Sequence, residues 1–177
     1  MMRSFVIFAV ALLVATQGDR ECSALQVWDG PKIIFSKAAS ADVSQPENQD
    51  RITDNVWLTR ADIRGIYNIR SEASYANFVS PVDTEWSFGT TDNLGALIFE
   101  DWQNAIGSNP PTSLEEDMVL HLITDDIYID IKFLTWGEGF SAGGFFSYER
   151  STPIPEPAAF GMLLIGLGYL GSVRRHR

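Results

Sequence analysis

The chain has 177 residues, 45% of them hydrophobic and 12% aromatic with five tryptophans, which is more apolar surface than a disordered chain carries. Its formal charge is −10, and residues 25–157 concentrate the imbalance, with eight basic residues against 21 acids, or −13. Such a surface repels phosphate backbones and argues against a nucleic-acid partner, leaving neutral glycans or divalent cations as the natural ligands.

Arg3 is followed by an uninterrupted apolar run over residues 5–14. A charged start and a short greasy stretch have the form of a secretory signal, too short to span a bilayer. Cys22 and Ala24 supply small side chains at −3 and −1 for a cut between Ala24 and Leu25, with an earlier cut near residues 15–18 as the alternative. Cys22 is the only cysteine. Cleavage after Ala24 leaves a thiol-free domain, without disulfides, zinc-thiolate sites or a cysteine nucleophile.

Residues 25–37 read as two short strands around the turn Asp29-Gly30-Pro31. Residues 38–54 are polar and read as a loop. Strand formers return at 55–60 and 65–70, then at 84–88 after Ser80-Pro81, and again at 97–99. Residues 100–106 are compatible with a helical turn or two. The clearest pattern is at 127–136, where Ile127, Ile129, Ile131 and Phe133 share one face and Tyr128, Asp130 and Lys132 the other. This period of two predicts a half-buried antiparallel strand. Residues 118–124 precede it, with Asp125-Asp126 as the hairpin connection, and 145–150 form a last strand. Eight to ten short strands with no long amphipathic helix predict an all-β domain, a single antiparallel sandwich or jelly roll over residues 25–151.

Within that domain no catalytic constellation emerges, and the expected site content is no catalytic residue and no cofactor. His121 is the one histidine outside the tail and lies between Leu120 and Leu122, so it reads as a hydrogen-bonded structural residue. Asp125, Asp126 and Asp130 are calcium candidates, joined by Asp54, Asp92 or Glu138 from other loops, although turn chemistry alone accounts for Asp-Asp. Trp28, Trp57, Trp86, Trp102, Trp136 and the tyrosines offer faces for sugar rings, set against the tendency of large aromatics to fill cores. Glu72, Glu85, Glu100 and Asp101 are the carboxylates from which a glycosidase pair would be drawn.

Residues 152–177 form the tail. Pro155, Glu156 and Pro157 precede sixteen residues without a charge, 158–173, and the chain closes on Arg174, Arg175, His176 and Arg177. A sixteen-residue helix is about 24 Å long, just enough to cross a bilayer when flanking arginines snorkel. The closing arginines stay on the cytoplasmic side, which puts the domain on the export side, in agreement with the signal segment.

The tripeptide, the Gly-rich apolar stretch and the arginine cluster resemble the PEP-CTERM sorting signal of Gram-negative bacteria. The resemblance implies processing by exosortase, a membrane-embedded cysteine transpeptidase, in cells that also make exopolysaccharide. It makes Pro155, Glu156 and Pro157 the recognition element and Arg174, Arg175 and Arg177 the membrane stop. The middle also resembles a domain carried by such proteins, through Ile52-Thr-Asp-Asn-Val-Trp-Leu-Thr59, Ile66-Tyr-Asn-Ile69, Thr84-Glu-Trp86, the stretch from His121 to Ile131, and Tyr148-Glu-Arg-Ser-Thr-Pro153; that resemblance implies no activity. The expectation is an exported, non-catalytic envelope or matrix protein, held transiently at the inner membrane and then placed at the cell surface, associated with exopolysaccharide. The alternatives are a lectin-like module, with or without calcium, and a glycan hydrolase.

Overall fold

The computed structural model describes residues 25–155. The expected signal segment with Ala24, and the tail from Glu156 through Pro157 to Arg174, Arg175 and Arg177, lie outside them.

The described residues form nine strands in two antiparallel sheets, with one parallel pair. The larger sheet runs β2 (Ile33–Lys37), β9 (Phe146–Arg150), β8 (Ile127–Trp136), β7 (Met118–Leu122), β6 (Thr84–Phe88). The smaller sheet is β3 (Asp50–Arg51), β4 (Trp57–Arg60), β5 (Ile66–Asn68).

The period of two in β8 becomes a buried row, because alternate side chains point to opposite faces. Ile127, Ile129, Ile131 and Phe133 are buried while the residues between them are partly exposed. β7, flanked by partners on both sides, is buried along its whole length. Trp86, Leu120 and Ile129 lie opposite one another across three strands and form the centre of the core. Leu58 and Ile66 of the smaller sheet, with Val56 just before β4, join the same hydrophobic cluster, so the two sheets bury one shared core.

The reading of residues 25–37 needs revision in its pairing. β1 (Gln26–Trp28) and β2 do not pair with each other: β1 lies parallel to β8 at Ile127–Ile129, and β2 lies antiparallel to β9. β9 occupies the upper part of the same edge of β8 and leaves it after Arg150, where β1 takes over. The expected strand at 97–99 is also absent; a 3-10 segment, Thr91–Ala96, and one isolated bridge between Trp86 and Glu100 replace it. Ile98 is 78% exposed, so its apolar character reports no burial. Helix α1 (Trp102–Ala105) fills the stretch for which a helical turn was expected, and its Trp102 is fully buried.

Three polar ties fix the layers. Asp50 on β3 accepts two hydrogen bonds from Arg150, at 2.6 and 2.8 Å, and one from the Tyr148 hydroxyl at 2.7 Å. Asn68 is fully buried, yet its amide carbonyl accepts from the Trp57 and Arg70 N–H groups and its NH2 donates to the Asn55 and Val82 carbonyls. Asp125 in the β7–β8 turn accepts from Thr53 Oγ1 and Asn55 Nδ2, tying that turn to the smaller sheet.

Candidate functional site

The stem of the tail is clamped to the domain. The Ser151 N–H donates to Asp130, the Gly30 N–H to the Thr152 carbonyl at 2.8 Å, and the Thr152 hydroxyl to the Pro31 carbonyl at 2.7 Å. A side chain on Gly30 would collide with the Thr152 and Pro153 backbone, so the turn requires glycine for close approach. Beyond this clamp Pro153, Ile154 and Pro155 are exposed. Pro155 is therefore presented three residues after the last clamped one, about 10 Å along an extended chain.

His121 lies in a cross-strand row, opposite Glu85 on β6 and Tyr128 on β8. Its Nδ1 is 2.7 Å from Glu85 Oε1 and its Nε2 3.3 Å from Asp126 Oδ1. The ring stacks on Tyr128, centroids 4.0 Å apart and nearly parallel, and Phe99 meets both rings edge-on. Burial and the negative charges of Asp126 and Glu85 push the Tyr128 hydroxyl above its ordinary pKa.

Several of the carboxylates singled out in the sequence serve separate structural contacts. Asp126 serves His121, Asp125 serves Thr53 and Asn55, and Asp130 accepts from the Thr91 N–H and hydroxyl. Glu72 accepts from the Asn68 and Val82 N–H groups, and Asp101 from Ser80. Among the described residues no three His, Cys, Asp or Glu side chains gather as a metal-holding group. Of the tryptophans, Trp28, Trp86 and Trp102 are core, while Trp57 and Trp136 are partly exposed and each lies against an arginine.

The cleft that these observations leave is at one end of the two layers. The end of β4 and the turn after it supply Arg60, Arg64 and Gly65; the loop before β6 supplies Tyr75, Asn77 and Phe78; α1 and the turns after it supply Gln103 and residues 108–111; the end of β8 and the loop after it supply Trp136, Glu138 and Gly139. It encloses about 350 Å³, within the range of small-ligand sites.

Arg60 forms its floor. The guanidinium is buried, stacks on Trp136 at 3.7 Å, and donates to the carbonyls of Arg64, Phe145 and Gly137. Among the described residues no carboxylate lies within ion-pair distance of it, and burial lowers its pKa to about 10. Three carbonyl dipoles and an aromatic face thus take the place of a counter-ion. Gly65 has no room for a side chain because Tyr75 and Trp102 pack directly on its backbone. Nothing in the sequence marks Arg60, Arg64, Asn77 and Phe78, which carry no motif spacing; the signals available were Trp136 and Tyr75, both among the aromatic residues with faces for sugar rings.

Residues 153–177 match the family model for the PEP-CTERM protein-sorting motif. No curated protein and no solved structure matches the chain. A mostly β domain with a clamped stem leading into this motif defines a class, the exported proteins that cross a membrane and are sorted through a C-terminal signal. Within that class the motif supports a PEP-CTERM domain-containing protein and implies exosortase as its processing partner.

Proposed function

We propose that this protein is a non-catalytic component of the Gram-negative cell envelope or extracellular matrix. The signal segment carries it across the inner membrane, residues 158–173 hold it there, and exosortase cuts near Pro155 to Pro157 and passes the β domain to the exopolysaccharide-rich surface. The observation that carries this reading is the sorting motif at residues 153–177, introduced by a stem that the domain itself holds in place. The clamp ends before Pro155, which the folded domain leaves exposed.

Deleting residues 155–177 in the native host and fractionating the cells tests it. The expected result is loss of the domain from the surface fraction; an unchanged distribution would overturn the reading.

A lectin-like role is the second reading, and the aromatic cleft at Trp136 favours it over a purely structural one. No cofactor enters either reading. A ligand bound only by the native state must raise the melting temperature, so excess calcium or a chelator is expected to leave the melt unmoved. A calcium-dependent rise would return Asp125, Asp126 and Asp130 to consideration.

A further inference from the structure

The cleft floored by Arg60 combines three features that the packing of the domain does not need. Its rim carries unspent polar groups: the side chains of Arg64, Asn77 and Glu138 hydrogen-bond to nothing else among the described residues. Its wall carries an aromatic face turned to solvent, since Phe78 is 71% exposed, beside the half-buried Tyr75. Its backbone is strained, because Arg64, Phe78 and Ser108 all adopt positive φ, at 77°, 62° and 59°. Such conformations are costly for a side-chain-bearing residue and gather where a ligand is gripped. Gln103 accepts the Phe78 N–H and so holds that residue in its strained, outward position.

The chemistry of the occupant follows from this complement. Aromatic faces bind the apolar C–H face of a sugar ring. A hydroxyl both donates and accepts, and the rim offers a donor in Arg64, an acceptor in Glu138 and both in Asn77. The rim charges of Arg64 and Glu138 offset each other, and residues 25–155 carry −12 as a whole, which disfavours a long anionic chain. An apolar ligand would require an enclosed, dry cavity, and this one is open on a polar rim.

We propose that this cleft is a saccharide subsite that takes a neutral pyranose unit, stacked on Phe78 and Tyr75 and held through its hydroxyls by Arg64, Asn77 and Glu138. This assignment rests on the lectin-like reading and adds to it the location and the charge of the sugar.

The test is binding of the full chain, held in detergent, to immobilised neutral hexasaccharides of the gluco-, manno- and galacto-series, with uronate oligomers on the same surface. Wild type is expected to retain at least one neutral series, and Phe78→Ala and Arg64→Ala to weaken that retention about tenfold. Both side chains are exposed, so both variants fold, which a thermal melt verifies; Ile98→Ala, at another exposed apolar residue, is expected to bind as wild type. Retention of a neutral glycan that ignores both cleft substitutions would refute the subsite while leaving the lectin-like reading in place. Retention of uronates alone would refute the proposed charge. No retention of any glycan would overturn both.

Discussion

Asp50 holds two buried partners at once, and the sequence around it gives no hint of this. It lies in a stretch read as polar loop, whereas in the fold it accepts from Arg150 and from Tyr148, one hundred and 98 positions away. Asp50→Ala strands the guanidinium in the core, and loss of one partner from a buried pair costs about 3–5 kcal/mol. Tyr148→Phe removes one hydrogen bond and costs about 1 kcal/mol. Urea unfolding should separate the two by that margin. The same site sets a pH dependence: burial and the charge of Asp50 hold the Tyr148 hydroxyl well above its ordinary pKa. An unfolded tyrosine ionises near pH 10 while the folded one keeps its proton, so folding binds a proton above about pH 10 and stability falls as pH rises through it. Ultraviolet titration is expected to show a phenol that ionises only on unfolding and is missing from Tyr148→Phe. Two buried tryptophans give a further contrast. Trp86 donates its indole N–H to Thr84, whereas Trp102 meets no acceptor among the described residues. Trp86→Phe loses a hydrogen bond that Trp102→Phe never had, and should be the more destabilising by about 1 kcal/mol in the same assay.

Strands were legible where a pattern was local. β6 and β8 fall where propensity and alternation put them, because the alternation is written in consecutive residues and one face of the sheet is buried. The parallel pairing of β1 with β8 joins positions about one hundred apart, and nothing in three residues of β1 names that partner. Residues 97–99 misled for the opposite reason, since their apolar character is real but only one bridge pairs the segment with β6. Phe78 and Arg64 of the cleft were invisible because loops carry no period, and only the fold brings them beside Tyr75 and Trp136. The turn at Gly30 gives a test of the β1–β2 connection. Gly30→Ala drives a methyl group into the Thr152–Pro153 backbone, which should break the Gly30–Thr152 hydrogen bond and speed amide exchange at residue 30 about tenfold or more, while the β7 amides keep their protection.

Across the chain, the strongest information lies at its ends and the least in its middle. A sorting tail must be recognisable as a short linear signal, so proline, glutamate, an apolar run and arginines are read directly from the sequence. The domain is judged by packing, and packing can be met by many sequences, so its two-sheet architecture was foreseeable as mostly β but not its unequal division into six strands and three. The clamp at Thr152 joins the two kinds of information, since it places the edge of the folded unit three residues before Pro155. A cut by exosortase near that tripeptide would leave every core contact of the domain intact. The intact mass of the protein recovered from the surface of its native host tests this most directly. The account predicts a chain that begins near Leu25 and ends near Pro155 to Pro157, with any attached group on that new carboxyl terminus; a mass equal to that of all 177 residues would contradict it.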